Sequence, residues 1–194
     1  MVEIILYHHV QGLTTGVVAF ADELRQAGHT VHTPDLFGGG RTFATIEDGM
    51  AHAREVGFDV LLERGVAAAE AMSSSGVVYG GFSSGVMPAQ QLAQTRADAR
   101  GALLFHACLP VSEFGERWPD GIPVQVHGMD ADPFFAEEGG DLDAARELLA
   151  STDQAELFLY PGNEHLFADS SLPSYEPAAA HLLMERVLRF LGQV

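Results

Sequence analysis

Short apolar runs alternate along the chain with longer segments in which apolar residues recur every three or four positions. The short runs are rich in β-branched and aromatic residues, and they predict buried parallel strands at residues 2–7, 30–33, 76–80, 102–107, 123–127 and 157–160. The longer segments predict helices at residues 14–27, 45–56, 57–73, 84–94, 141–151 and 176–191. This alternation predicts an α/β fold, with a doubly wound, mostly parallel sheet of about six to seven strands and helices on both faces.

Residues that favour helix ends stand at several of these boundaries. Thr14 or Thr15 can cap the first helix, and Gly28 stops it. Gly57 predicts a break between the second and third helices, and Pro177 lies near the first turn of the last helix.

The chain has 194 residues, of which 47% are hydrophobic and 19% charged, a globular composition. We expect residues 1–194 to form one domain, because this length supports a single core. The formal charge is −17, and all 10 basic residues are arginines. We expect no nucleic acid and no membrane partner, because both need a cationic protein surface. The absence of lysine removes Ser-Lys dyads, Schiff-base catalysis and the P-loop lysine.

The amino terminus and the single cysteine bear on the cellular compartment. Residues 1–7 have no basic n-region and no small-residue cleavage site, so we do not expect a signal peptide. No apolar run reaches the roughly 18 residues of a membrane span. Cys108 has no second cysteine with which to form an internal disulfide or a zinc-ligand pair. The sequence therefore favours a cytoplasmic protein.

A candidate nucleophile follows the third predicted strand. Residues 81–85 read Gly-Phe-Ser-Ser-Gly and fit the pattern G-x-S-x-G, with an apolar strand before it and a helix after it. In α/β-hydrolases this serine sits on a strained turn, and the small residues on either side let neighbouring backbone pass closely. The turn also places Ser83 at a helix N-terminus, whose N–H groups favour developing negative charge. The alternative is a tight glycine turn with an incidental serine.

A candidate acid and a candidate base follow the fifth and sixth predicted strands. A serine hydroxyl needs an adjacent base, and in α/β-hydrolases the chain order is Ser, then Asp or Glu, then His. Asp132 follows the fifth strand and His165 follows the sixth. Because the carboxyl ends of parallel strands meet at one sheet edge, we expect these residues to join Ser83 there. Asp130 is the competing acid, since it follows the same strand.

Acyl transfer also needs hydrogen-bond donors aimed at the developing oxyanion. We predict the backbone N–H of Ser84 as one donor. The second donor is expected from the loop after the first strand, where we predict the N–H of Val10, with Gln11 as the alternative.

Nine histidines offer other chemistry. His8 and His9 follow the first strand, but no H-x-x-x-H or H-E-x-x-H spacing supports a zinc site. His106 and His127 lie at strand ends, where they are either satisfied core residues or neighbours of the triad. We expect neither a metal nor an organic cofactor.

Together these motifs resemble the dienelactone hydrolase family over nearly the whole chain. The resemblance is carried by residues 12–13, 27–29, 34–37, 81–85, 127–135 and 160–167. It implies the α/β-hydrolase fold and the hydrolysis of small esters and lactones without a cofactor. In the family's pattern the catalytic aspartate falls on Asp132, which favours Asp132 over Asp130.

Three positions depart from the founding enzyme that this chain resembles. That enzyme has a cysteine nucleophile where this chain has Ser83, and a glutamate where this chain has His9. It also has an arginine that pairs with the substrate carboxylate, and here the matching residue is Asp169. Because one carboxylate cannot stabilise another at close range without protonation, we expect a neutral ester, lactone or thioester rather than an anionic lactone.

The loops around the triad predict the substrate pocket. Only residues 108–121 stand where a lid is often inserted, so we expect no large cap. His9 and Gln11 are expected beside the serine, and loop aromatic residues could line a small apolar pocket, namely Phe37, Trp118, Phe134 and Phe167. Ordinary loop packing is the alternative for each aromatic residue.

These observations predict a serine hydrolase that cleaves a small carboxylic ester or lactone through an acyl-enzyme, as a monomer or a homodimer. One alternative is a thioesterase or another acyl hydrolase at the same site. The other is a non-catalytic, ligand-binding member of the fold.

Overall fold

The computed structural model describes residues 1–72, 76–138 and 140–194. Across them six strands form one sheet: β1 (Glu3–Tyr7), β2 (Thr30–His32), β3 (Val77–Phe82), β4 (Ala99–Phe105), β5 (Val124–Met129) and β6 (Ala155–Tyr160). The spatial order is β2-β1-β3-β4-β5-β6, and every neighbouring pair is parallel. The predicted parallel sheet is confirmed.

The helices are α1 (Thr15–Gln26), α2 (Ile46–Val56), α3 (Phe58–Met72), α4 (Val86–Thr95), α5 (Asp141–Ser151) and α6 (Pro177–Leu191). Their bounds lie close to the predicted ones, and residue 73, the predicted end of the third helix, lies outside the described residues. Thr14 caps α1 by accepting the N–H of Val17, and Gly57 separates α2 from α3 with a φ of 95°. Short 3₁₀ turns at Ser83–Gly85 and Val111–Glu113 and a π-helical turn at Pro133–Glu138 were not predicted.

The predicted bounds are less accurate for the central strands. β3 continues to Phe82 instead of ending at residue 80, because Gly80 and Gly81 lie inside the strand. A Cβ on Gly80 would lie 3.1 Å from the Leu6 side chain, so the glycine allows close packing and does not mark a turn. β4 begins at Ala99 and ends at Phe105, earlier than predicted.

Helices cover both faces of the sheet. Ile4 and Leu6 join the apolar layer formed by α1 and α6. Ile5 and Tyr7 join the opposite layer, formed by α2, α3, α4 and α5. Because successive strand residues point to opposite faces, a strand covered on both sides is apolar at nearly every position.

The carboxyl ends of the strands form the edge at which the candidate residues gather. The chain passes from β1 to β2 on one side of β1 and then crosses back to β3 on the other side, so the topological switch point lies between β1 and β3. Between β4 and β5, residues 106–123 contain only the 3₁₀ turn, so no large helical cap covers this edge. Among the described residues, no helix combines the length and apolarity needed to cross a membrane.

Candidate active site

The turn after β3 holds Ser83 in a left-handed conformation, with a φ of 49°. A Cβ on Gly81 would lie 2.1 Å from the carbonyl oxygen of Gly85, and a Cβ on Gly85 would lie 2.6 Å from that of Tyr7. Both positions therefore require glycine, as the G-x-S-x-G pattern predicts. Ser83 is half-buried and lies at the start of the turn that leads into α4. The first N–H groups of a helix have no carbonyl partner within it and favour negative charge at this end.

Ser83, His165 and Asp132 meet at this edge. His165 Nε2 lies 3.0 Å from Ser83 Oγ, and His165 Nδ1 lies 2.6 Å from Asp132 Oδ2. Asp132 is completely buried and His165 is 8% exposed. Because an ionised carboxylate only accepts hydrogen bonds, Nδ1 carries the ring proton and Nε2 accepts the serine hydroxyl. This is the geometry of a nucleophile, a base and an orienting acid.

Asp130 has a different position from Asp132. Its side chain is exposed, and its Oδ1 accepts the N–H of Gly162 at 3.1 Å. Asp132 instead accepts the N–H of Phe134 at 2.9 Å through Oδ1, which leaves Oδ2 to His165. Asp130 therefore joins the loops after β5 and β6, whereas Asp132 contacts His165.

Three described residues other than glycine have a left-handed backbone, and all three lie at this edge. They are Ser83, His106 with a φ of 64°, and Leu166 with a φ of 63°. Leu166 directly follows His165, and His106 directly follows β4. Each such residue costs about 1–3 kcal/mol of strain, and strain of this kind concentrates at functional sites.

The loop after β1 runs beside the serine turn. A Cβ on Gly85 would lie 2.7 Å from the carbonyl oxygen of His8, so the Ser84–Gly85 segment packs against the start of this loop. The N–H of Gln11 donates to His9 Nδ1 at 3.2 Å. Because Gln11 is engaged in this way, Val10 is the better candidate for the donor from this loop, and Ser84, the other candidate donor, directly follows Ser83.

His9 does not line an open pocket, contrary to expectation. Its ring is fully buried, and its Nε2 lies 2.8 Å from Oδ2 of Asp169, which is 1% exposed. Asp169 also accepts the Thr14 hydroxyl and the hydroxyl and N–H of Ser171. The structure therefore does not place the Asp169 carboxylate against a substrate, and the expected repulsion of an anionic substrate by Asp169 does not hold.

An open cleft of about 420 Å³ lies beside His165, because Phe134, which packs against the His165 ring, and Glu164, which precedes His165, both line it. Two residues predicted for the substrate pocket, Gln11 and Phe134, are among its lining residues. The other lining residues are Ala44, Thr45, Ile46, Glu47, Leu172, Pro173 and Ser174. The centroid of the Phe134 ring lies 4.9 Å from that of His165, so the two rings pack against each other. No basic side chain occurs among these described lining residues.

The other predicted aromatic residues divide between a cavity and the core. Phe37 lines a small cavity with His8 and Ser84, whereas Trp118 and Phe167 are buried. The Trp118 indole N–H donates to the carbonyl of Ile122 at 2.7 Å, and Phe167 packs edge-on against His106 with centroids 4.7 Å apart. Both are packing residues, which corrects their prediction as pocket residues.

A larger cavity of about 690 Å³, which Pro123 and Gln154 help to line, lies at the amino ends of the strands and contains none of the predicted site residues.

His106 is a close neighbour of the triad to which the sequence assigned no definite role. Its ring centroid lies 5.7 Å from that of His165, and both of its ring nitrogens are buried without a hydrogen-bond partner. Burial, with a further contribution from the nearby His165, lowers its pKa well below the usual value. The ring is therefore neutral.

His127, in contrast, is a core residue with a hydrogen-bond partner at each ring nitrogen. Tyr160 Oη lies 2.9 Å from its Nδ1 and Gln125 Oε1 lies 3.1 Å from its Nε2.

Two other ionisable groups near the site, Asp141 and Cys108, have raised pKa values. Burial raises the pKa of Asp141 to about 7; a hydrogen bond from the backbone of Cys108 opposes this rise, and the charge on Asp132 adds to it. Burial also raises the pKa of the Cys108 thiol to about 12, so this cysteine is unreactive. Among the described residues, no group of three or more His, Cys, Asp or Glu side chains is placed to hold a metal ion.

Comparisons with known proteins give a family match and a set of similar folds. The model of the dienelactone hydrolase family matches residues 2–194. No curated protein sequence matches this chain.

Three solved structures illustrate the similarity of fold. A dienelactone hydrolase-like promiscuous phosphotriesterase from metagenomic libraries has a TM-score of 0.76 at 17% identity, covering 100% of this chain and 86% of its own. Mouse alpha/beta hydrolase domain-containing protein 10 has a TM-score of 0.68 at 13% identity, covering 98% and 90%. Thermogutta terrifontis esterase 2, in its apo form, has a TM-score of 0.62 at 16% identity, covering 99% and 83%.

Proposed function

Because the chain belongs to the dienelactone hydrolase family and is a hydrolase of ester bonds, we propose that it cleaves a small, neutral carboxylic ester or lactone through a Ser83 acyl-enzyme. The observation that carries the proposal is the pair of contacts from His165, at 3.0 Å to Ser83 Oγ and at 2.6 Å to Asp132 Oδ2. No other described serine has such a contact with a histidine that is itself bonded to a buried carboxylate.

The proposed reaction begins with attack of Ser83 Oγ on the substrate carbonyl. His165 Nε2 takes the serine proton and then gives it to the leaving alcohol. In the second half, His165 removes a proton from water as the water oxygen attacks the acyl-enzyme carbonyl. The bond to Ser83 Oγ then breaks, His165 returns the proton to Oγ, and the acid is released. Asp132 holds the His165 tautomer that leaves Nε2 free to accept.

The tetrahedral oxyanion is stabilised in this proposal by the backbone N–H groups of Val10 and Ser84. Preorganised donors of this kind contribute more than groups in water, because they need no reorientation during the reaction. The involvement of the Gln11 N–H with His9 supports Val10 over Gln11.

The charge around the cleft supports a neutral substrate over an anionic one. Glu47 and Glu164 line the cleft, and its described lining offers no cation to hold a substrate carboxylate. The chain as a whole carries a formal charge of −17, which repels anions at longer range. Asp169 does not contribute to this selectivity, because it is buried and bonded to His9.

A fluorophosphonate probe tests the nucleophile directly. We expect mass spectrometry to find the label on Ser83, with labelling abolished in Ser83→Ala and strongly slowed in His165→Ala. Ser151→Ala is the matched control, because the Ser151 hydroxyl donates to a carbonyl within α5, away from the triad. A folded protein that is unlabelled at Ser83 would contradict the proposal and favour a non-catalytic member of the fold.

A substrate panel tests the chemical class. We expect turnover of neutral p-nitrophenyl esters and little turnover of carboxymethylene-butenolide, which is anionic. An acyl thioester in the same panel distinguishes an esterase from a thioesterase that uses the same serine. Rapid cleavage of the anionic lactone with negligible cleavage of the neutral esters would overturn the proposed substrate class.

A further inference from the structure

A second buried histidine–carboxylate pair joins two loops of the site. His9 stands two residues after β1, and Asp169 stands four residues after His165. Their side chains meet at 2.8 Å with almost no exposure to solvent. The pair therefore links the loop that carries Val10 to the loop that carries the base.

The hydrogen bonds around this pair define its protonation. The N–H of Gln11 donates a hydrogen bond to His9 Nδ1, so the ring proton of His9 is on Nε2. The Nε2–H group then donates a hydrogen bond to Asp169. Burial alone would raise the pKa of Asp169, but hydrogen bonds from His9, Ser171 and Thr14 outweigh it and lower the pKa. Asp169 is thus an ionised carboxylate with four donors, which is the condition under which a buried charge is stable.

The same loop fixes the direction of the Val10 N–H. The carbonyl oxygen of His9 accepts hydrogen bonds from the His8 ring at 2.7 Å and from the Gly12 N–H at 3.0 Å. The peptide between His9 and Val10 is planar and trans, so the Val10 N–H points opposite to that carbonyl. Both the side chain and the carbonyl of His9 are therefore held, and the Val10 donor has one orientation.

We propose that His9 and Asp169 are positioning residues that hold the Val10 N–H in register with Ser83 and His165. The inference rests on the proposed function, since it assigns a purpose to the loop that supplies the oxyanion donor. Through this pair, a single buried hydrogen bond aligns the oxyanion donor with the group that transfers the proton. A second feature of the fold fits the pair: Gly16 lies so close to Asp169 that any Cβ there would overlap the carboxylate.

Asp169→Asn and His9→Gln test the inference by steady-state kinetics on a neutral p-nitrophenyl ester. We expect kcat per fluorophosphonate-titrated site to fall by about ten- to a hundred-fold, with KM changed by less than about two-fold, because a misplaced donor acts on the transition state. Affinity for an aryl trifluoromethyl ketone, which forms a tetrahedral adduct with the serine, is expected to fall in proportion to kcat. A purely structural role would lower the melting temperature but leave kcat per titrated site and ketone affinity unchanged.

Glu3→Gln is the matched control. Glu3 also forms a hydrogen bond with a histidine, His32, at 2.9 Å, but at the amino end of β1. We expect its kcat and ketone affinity to equal those of the wild type.

The outcomes separate this inference from the proposed function. If the wild type is neither labelled nor active, the proposed function fails. If the wild type is active and both variants keep its kcat and ketone affinity, the positioning role is refuted while the proposed function stands. If Asp169→Asn does not fold, His9→Gln decides, because it removes the ring nitrogen that accepts the Gln11 N–H and so releases the loop that carries Val10.

Discussion

Two aspartates that stand two positions apart differ in the groups that their carboxylates contact. Asp132 is buried and bonded to His165, whereas Asp130 is exposed and bonded to the Gly162 N–H. We expect Asp132→Asn to lower kcat by about 10⁴-fold, because the amide favours the tautomer of His165 that cannot accept the serine proton. Asp130→Asn keeps an oxygen that can accept the Gly162 N–H, so its kcat is expected to stay within about three-fold of the wild type. Ester hydrolysis by the purified variants measures both.

The opposite order of effects would identify Asp130 as the acid. If both variants lost activity equally, the loop after β5 would act as one unit, and the buried contact of Asp132 would not be the critical one. Thermal unfolding of each variant distinguishes loss of catalysis from loss of structure, because a catalytic effect does not require a lower melting temperature.

The backbone conformation and the surroundings of His106 could not be predicted from the sequence. Its place at the end of a strand was evident, but its left-handed backbone and its unpartnered ring nitrogens depend on neighbours from β3 and from the loop after β6. The rings of Phe82, Phe167 and His165 surround it. Such surroundings follow from long-range packing, which the residues on either side of His106 do not encode.

At the scale of elements, α2 supports the loop that carries the proposed oxyanion donor. A Cβ on Gly49 in α2 would lie 2.3 Å from the carbonyl oxygen of Val10 and 3.1 Å from the nitrogen of Gln11. Gly49→Ala favours the helix itself by about 1 kcal/mol, so any loss comes from the contact with the loop. We expect this variant to lose about 1–3 kcal/mol of unfolding free energy and most of its kcat, since the loop must move.

Gly192→Ala is the control for this prediction. Gly192 lies at the end of α6, where an added Cβ would make only ordinary contacts at 3.4 Å or beyond. Its stability and kcat are expected to match the wild type in chemical denaturation and ester hydrolysis. Wild-type kcat in Gly49→Ala would show that α2 does not set the geometry of the Val10 loop.

The elements also show why part of the site was predictable. Ser83, Asp132 and His165 each follow a strand of a parallel sheet, so strand assignment alone placed them at one edge. The His9–Asp169 pair was not predictable, because its members stand 160 positions apart and both read as substrate-facing residues. Trp118 and Phe167 were misassigned for a related reason: a loop position does not show whether an aromatic ring faces the cleft or the core.

At the scale of the whole molecule, the chain has the α/β-hydrolase fold that its alternating pattern and motifs predicted. That fold buries several histidines in its core and beneath its site. Burial lowers the pKa of His8 to about 4 and that of His127 to about 3, and lowers that of His106 well below its usual value. These rings stay neutral in the folded state at pH values where an unfolded chain binds protons.

The stability of the protein is therefore expected to fall as the pH is lowered from about 7 to 5. In this window the unfolded state protonates histidines with a pKa near 6.5 while the folded state keeps them neutral, so protons favour unfolding. The His8 and His127 rings each cost about 2 kcal/mol at pH 5, and the neutral His106 ring acts in the same direction. Asp141 acts in the opposite direction: its pKa is raised to about 7, so the folded state binds a proton that the unfolded state does not. Because three histidines act against one carboxyl group, a net loss of stability remains.

Chemical denaturation at a series of pH values measures this loss, and high salt separates it from surface repulsion. The formal charge of −17 also changes with pH, but salt screens exposed charges and leaves buried groups largely unaffected. His127→Gln should reduce the loss of unfolding free energy between pH 7 and 5 by about the contribution of one buried ring. His181→Gln, on the exposed face of α6, should leave this loss unchanged. Stability that held constant or rose between pH 7 and 5 would mean that the buried rings are protonated in the folded state. Their burial would then require negative partners that the contacts of His106 and His127 do not provide.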